Sequence, residues 1–424
     1  MIGILGGGIS GISLAAHLDE NVEVLEKRQR IGGLCGSIID QGFTFDAAGP
    51  HIMFSKNKEI LNLMVSALGD NVQQRRRENK IWFKGRLVKY PFENDLASLP
   101  KEDNFDCIYG YIVNPHANEK PTSLAQWSYA TFGEGISDKY FIPYNRKIWN
   151  YDPWKIGLEF VSRIPKPPMQ DVLKSSIGIP TEGYLHQLHF YYPAEGGYEA
   201  IVHAFAKKVR GKITTSHPVK EVSRAGEKWV VDGHSYDTLV STIPIHELLT
   251  IWRDAPKEAR EAAAKLRYNS LINVLLGVRG EADHHHTAVY IPDPAILFHR
   301  ISFPQAFSPR NVPQGGSAIM AEITANAGDG MWELADDQIL ERTIRELESI
   351  GFVNASNVVY RRVVRFQYGY PVYDVDYTKN VTTLRNAVAS TGLRLLGRFA
   401  QFDYINSDVC VERALALASE LRNG

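Results

Sequence analysis

Six residues near the start constrain this chain more than any others: Gly6-Gly7-Gly8-Ile9-Ser10-Gly11 follows directly on the short apolar run Ile2 to Leu5. That run reads as a buried parallel strand. Ile9, Ile12, Leu14, Ala15 and Leu18 then recur near helical spacing, so the glycines sit at a strand-to-helix turn. Gly6 permits the tight turn, Gly8 lets the backbone approach a pyrophosphate, and Gly11 lets helix and strand pack closely. The helix N-terminus, with Ser10 in its first turn, faces the anion. A second strand, Val22 to Leu25, ends at Glu26, twenty residues after Gly6, the separation at which an acid reaches the ribose hydroxyls of a dinucleotide. Strand, turn, helix, strand and acid in this order predict an α/β chain built on a Rossmann-type dinucleotide-binding layer.

Composition narrows the partners. The 424 residues carry 47 Lys+Arg against 48 Asp+Glu, a net charge of -1, which gives no general field for nucleic acid or an anionic membrane. No apolar run approaches the roughly 18 residues of a membrane span. Met1 leads at once into the first strand, so neither a leader nor an anchor is expected and a cytoplasmic location is the simplest expectation. Cys35, Cys107 and Cys410 are too scattered for a disulfide framework or a zinc site and are expected to be buried small hydrophobes. The run His284-His285-His286 lacks acidic or cysteine partners at ligand spacing beyond Asp283, so it reads as a polar loop and no metal is expected.

The residues after Glu26 address which dinucleotide binds. Arg30, Gly32-Gly33 and Ser37 complete E-x-x-x-R-x-G-G-x-x-x-S, a pattern that resembles the FAD-containing amine oxidases and their relatives. The resemblance implies FAD, with Lys27, Gly33 and Leu34 beside it, and it implies that Phe45 to Phe54 passes the flavin ring, with His51 close to it. It also assigns Val222, Thr242, Gly397, Arg398, Asn406 and Asp408 to the cofactor, the last two at the start of an apolar C-terminal helix. No second glycine fingerprint follows a strand; Gly133-Glu134-Gly135 lacks both the strand and the third glycine. A reductant, NAD(P)H or a reductase, is therefore expected from outside, unless oxygen is the oxidant.

Periodicity divides the rest. The expectation is a discontinuous FAD domain of residues 1–80, 181–255 and 376–424, a mainly helical insertion at 95–180, and an antiparallel sheet domain at 256–375 joined by 81–94. Helical pattern runs from Ser123 to Arg163 with breaks at Gly133, Pro143 and Pro153, and the prolines of 163–168 are expected to end that layer. Strands are expected at 271–278, 287–291, 296–301 and 317–324, and a helix at 333–350.

Within the flavin group the chain is similar to the UDP-galactopyranose mutases. Tyr90-Pro91-Phe92, the segment Pro143 to Trp149, Arg163, Phe298-His299-Arg300, Tyr368-Gly369-Tyr370-Pro371 and the Gly397 to Asp408 segment resemble mutase motifs in the mutase order. The resemblance implies pyranose–furanose interconversion of a UDP- or dTDP-hexose, with N5 of reduced FAD as covalent nucleophile. It implies Arg163, Arg300 and His51 as catalytic residues, Tyr90 and Phe92 as stacking partners of a base, and Tyr370 and Tyr404 as hydrogen-bond donors to the diphosphate. A diphosphate favours planar, permanently charged guanidinium donors. Glu93 departs from the glutamine expected at the base contact, which leaves the base open. The competing reading is an oxidase resembling amine or protoporphyrinogen oxidases. Convergence of Arg163, Arg300, Tyr370 and Tyr404 within about 10 Å separates the two, because an apolar substrate needs no such cluster.

Overall fold

The computed structural model describes residues 1–424 except Glu20, Pro165, residues 184–187, Asp283, His284 and Gly424. Part of the triple-histidine run thus lies outside the described residues; among those described, no cluster of metal-ligating side chains occurs. The first strand, Ile2–Leu5, is the middle of a five-stranded, wholly parallel sheet. Its neighbours are Val22–Leu25 and Thr238–Ser241, with Lys212–Thr214 and Arg394–Leu395 at the edges. The helices Ile9–Ala16, Glu199–Ala206 and Ser407–Asn423 pack together through Leu14, Phe205 and Val411. Both ends of the chain therefore build one layer, because a parallel sheet buries both faces and needs helices to cover them.

A second sheet has seven strands in the order Val358–Val372, Arg267–Arg279, Gly316–Ala325, Arg300–Ser302, Ala288–Tyr290, Asn79–Phe83 and Arg86–Lys89. It is antiparallel except where Ala288–Tyr290 runs parallel to Asn79–Phe83. Val358–Val372, its longest strand, has no apolar alternation to announce it. Arg361, Arg362 and Arg365 interrupt the pattern, and the strand is held by its register with Arg267–Arg279 rather than by its own composition.

The helical layer contains Lys101–Ile112, Leu124–Ile136, Ile142–Trp149 and Met169–Ser176. Its breaks have local causes. Gly133 has φ 72°, and a Cβ there would lie 2.0 Å from the Gly110 carbonyl oxygen, so these glycines let two helix backbones touch. Before Pro143, a π-helical stretch from Ser137 to Phe141 bridges two helices and keeps the chain helical. The prolines near 167 interrupt the layer and do not end it, since Pro168 immediately precedes the helix Met169–Ser176. No described helix is long and apolar enough to cross a membrane, and all three cysteines are buried and free.

Candidate functional site

The glycine turn is built as its spacing requires. Gly6 has φ 102° and a Cβ there would strike Thr242 Oγ1 at 2.5 Å; one on Gly11 would lie 2.1 Å from the Gly6 carbonyl oxygen. Gly8 differs: the one neighbour a Cβ would meet is Gly33 Cα at 3.8 Å, whereas a Cβ on Gly33 would lie 3.0 Å from Gly8 Cα, so the two glycines bring turn and loop close together and leave a cradle open on the Gly8 side. Glu26 is buried, its carboxylate accepting the N–H groups of Gly7 at 2.7 Å and Arg28 at 2.8 Å. It braces the turn from behind while keeping lone pairs for a further donor.

The C-terminal segment closes on the same place. A Cβ on Gly397 would approach Ser10 Oγ to 2.6 Å, and the Ser407 hydroxyl, at the start of the last helix, lies 2.5 Å from the Tyr198 hydroxyl. Asn406 offers its carbonyl to Cys410 in that helix, and Arg398 Nε donates to the Ile405 carbonyl at 2.9 Å. Asp408 Oδ1 and His51 Nδ1 are buried without a protein partner, a costly condition unless a bound group satisfies them. A flavin dinucleotide fits this set: an open glycine cradle, a buried acid, a helix N-terminus and two orphaned polar atoms.

Three further expected cofactor residues have the following surroundings. Lys27 turns to the surface and pairs with Glu247 at 2.7 Å. Val222 belongs to the core, fully buried with Trp229 and Trp252, its carbonyl accepting the Arg253 N–H. Leu34 lies in the short 3-10 turn Gly33–Cys35 and packs between two cores.

On the other side of His51 a polar aromatic cluster forms. Tyr404 has the Arg163 guanidinium 4.7 Å and the Arg398 guanidinium 5.0 Å from its ring centre, and its ring lies 5.5 Å from that of Tyr370. Tyr404 is anchored through its N–H to the Tyr373 hydroxyl, which in turn donates to Asp403, itself paired with Arg413 at 2.7 Å. Tyr370 is held by its N–H to Asn269 Oδ1 at 2.9 Å. Burial raises the Tyr370 and Tyr144 hydroxyls well above the usual range, so both remain O–H donors.

Arg300 joins this cluster, but not as a free charge. Its Nε and Nη2 donate to the two Glu322 oxygens at 2.5 and 2.6 Å, and Glu322 is wholly buried. Burial opposes the Arg300 cation, and Glu322 outweighs it. The pair presses on the flavin-side loop: a Cβ on Gly49 would meet Glu322 Oε2 at 2.8 Å. His51 stacks on Tyr198 with ring centres 5.2 Å apart. Burial first, then the Arg398 and Arg300 charges, push its pKa down to about 3, so the ring is neutral at pH 7.

Arg163 thus lies over Tyr404, the Tyr404 ring meets that of Tyr370, and the Arg300 charge acts on the Tyr370 hydroxyl. Phe92 does not belong to this cluster. It is fully buried, stacked on Tyr140 at 5.0 Å, because the turn after Pro91 directs it into the helical layer, where it cannot stack on a ligand. Tyr90 is half-buried with its ring 4.7 Å from that of Tyr290, which also meets Tyr144 at 5.3 Å. Glu322, Tyr144 and Tyr290 escaped the sequence reading. Tyr144 lies inside the Pro143 to Trp149 motif, whereas Glu322 and Tyr290 carry no local signal.

A profile of flavin-containing amine oxidoreductases matches residues 9–395. The chain belongs to that family. Within this amine oxidoreductase family the chain is similar to a UDP-galactopyranose mutase of Mycoplasma pneumoniae, 36% identical over 173 residues, 38% of this chain and 43% of that protein. A Mycoplasma genitalium UDP-galactopyranose mutase is 39% identical over 66 residues, 14% of this chain and 16% of that protein. The matches therefore span less than half of either curated relative. A crystal structure of reduced UDP-galactopyranose mutase superposes with a TM-score of 0.91 at 24% identity, covering 100% of this chain and 93% of the other. A redesigned putrescine oxidase, at 14% identity and a TM-score of 0.67, covers 100% of this chain and 99% of that one. At these identities the two structures speak for the shared fold.

Proposed function

We propose that this protein is an FAD-dependent nucleotide-sugar mutase, interconverting the pyranose and furanose forms of a UDP- or dTDP-hexose. The observation that carries the reading is the Arg163–Tyr404–Arg398 arrangement, two guanidinium groups on one tyrosine ring beside the flavin cradle. Bound and reduced, the flavin supplies a nucleophilic nitrogen for the anomeric carbon.

The chain's own residues hold and orient. Arg163 and Arg398 supply the charge for the diphosphate, since Glu322 already neutralises Arg300. Tyr370 and Tyr404 add neutral O–H donors, which hold the leaving diphosphate without adding charge. Arg300, fixed by Glu322, presents its remaining N–H groups in a set direction. Neutral His51 offers a ring nitrogen to the cofactor and adds no charge there. Trp149 and Phe160, edge to face at 4.8 Å and both against Tyr404, close the rear of the cluster to water. Residues 95–180 and 256–375 act as substrate-facing layers around residues 1–80, 181–255 and 376–424.

The test uses the purified flavoprotein with a panel of UDP- and dTDP-hexoses followed by NMR. Pyranose–furanose exchange is expected after dithionite reduction and not before it; substrate-dependent oxygen consumption with peroxide release would instead identify an oxidase. Arg163→Ala is expected to lower kcat/KM by about 10- to 200-fold, the worth of a charge-assisted hydrogen bond, with the flavin spectrum unchanged.

A further inference from the structure

A cavity of about 370 Å³ lies outside the Arg163–Tyr404 cluster, between the residues that follow the second parallel strand and the strand Val358–Val372. Arg28, Arg30 and Arg362 line it, and no acid does. Arg362, Val364 and Phe366 alternate along their strand and so present one face to it. Ile31 and Ile38 add aliphatic wall from the flavin layer. Of the residues expected at the cofactor, only Gly33 borders this cavity, which therefore lies beside the flavin's place rather than in it.

The three arginines are held in different ways. Arg30 Nη2 donates to Glu199 at 2.7 Å and to the Ser37 carbonyl, and Glu199 itself does not reach the cavity. Arg28 lies over Phe366 with its guanidinium 5.6 Å from the ring centre, a contact that orients it. Arg362 meets the Tyr360 hydroxyl, which donates to Asp40 at 3.2 Å. Among the described residues neither Arg28 nor Arg362 has a carboxylate within ion-pair distance. Like charges gathered without a counter-charge repel one another, and an anion relieves them.

We infer that this cavity binds a nucleoside phosphate. Three guanidinium groups suit the double charge and several acceptor oxygens of a phosphate monoester better than a lone carboxylate. The flat base has the branched side chains Ile38 and Val364 and the Arg28 guanidinium to lie against. Small-molecule sites span roughly 300–1,000 Å³, and a cavity near the lower end suits a mononucleotide rather than a dinucleotide or a peptide segment. The site is independent of the reaction proposed above.

The test is calorimetric titration of the flavin-loaded full chain with AMP at low salt, the bound flavin keeping AMP out of the cradle. One AMP per chain is expected, held more tightly than ribose 5-phosphate or inorganic phosphate, with affinity falling as salt rises. Arg28→Gln with Arg362→Gln is expected to weaken AMP by roughly a hundredfold or more, two charge-assisted hydrogen bonds at about tenfold or more each. Ile39 is a lining residue that is 63% exposed, so Ile39→Glu places a carboxylate at the rim and should weaken AMP several-fold with the flavin spectrum unchanged. Arg345→Gln, at an exposed arginine on the helix Asp336–Ser349, should leave AMP binding intact. Absence of AMP binding, binding that survives both the double variant and Ile39→Glu, or inorganic phosphate held as tightly as AMP would overturn the inference. So would binding lost in Arg163→Ala, which would place AMP at the Tyr404 cluster, or binding coupled to FAD release, which would place it in the cradle.

Discussion

Arg300 shows how little a residue's identity says about its charge. Its bidentate pair with the wholly buried Glu322 makes it a rigid, neutralised unit. Removing one partner of a buried pair leaves an uncompensated charge and costs about 3–5 kcal/mol. Arg300→Ala is therefore expected to lower the calorimetric melting temperature as well as activity, and Arg300→Met with Glu322→Leu to restore most of the stability and none of the activity. The double variant separates folding from function, which the single alanine variant does not. A double variant as unstable as Arg300→Ala would count against the pair as the cause. Arg163 and Arg398 have no such carboxylate partner among the described contacts, and their charge is correspondingly available at Tyr404.

Among the elements, the turn from Tyr90 to Asn94 is the most informative, because it delivers side chains to both sides of the helical layer. Phe92 fills the layer, and Glu93 is carried into it as well. Burial raises the Glu93 carboxyl from 4.5 to about 7. For an acid whose folded-state pKa is raised, the favourable contribution is complete below the unfolded value and is lost as pH rises through the folded one. Glu93→Gln, which resembles the protonated acid, is thus expected to match the wild-type melting temperature near pH 4.5, to exceed it increasingly as pH rises to about 7, and to keep a constant lead above that. A gap that is constant across this range would exclude titration of Glu93. The same element marks where sequence reading fails. Tyr-Pro-Phe was legible as a motif, but which ring faces a ligand depends on the rotation of a three-residue turn. The strand Val358–Val372 was hidden for a related reason: Arg361 and Arg362 point to opposite faces and break the apolar alternation, and the strand is held by backbone pairing along its edge with Arg267–Arg279.

At the scale of the molecule, the two ends of the chain meet at the cofactor cradle, with Ser10 against Gly397 and Tyr198 against Ser407. A ligand held there ties the first helix to the last. The flavin-free protein is therefore expected to melt below the holoprotein, and added FAD at 100 times its dissociation constant to restore about 2.7 kcal/mol; a melting curve indifferent to FAD would contradict the cradle. The sequence alone determined the strand–turn–helix with its acid, since Gly6 is required by its own positive φ and Gly11 by its contact with the Gly6 carbonyl oxygen, and short-range sterics are written in short-range order. Motif order, through the family resemblance, also singled out Arg163, Arg300, Tyr370 and Tyr404 as an expected cluster. Only the tertiary structure decided that Arg398 stands with Arg163 at Tyr404 while Arg300 is neutralised by Glu322, and that Phe92 is core. Coulomb energy and burial depend on distance in space, and residues 22 or 235 positions apart in the chain become neighbours only when the sheets are assembled.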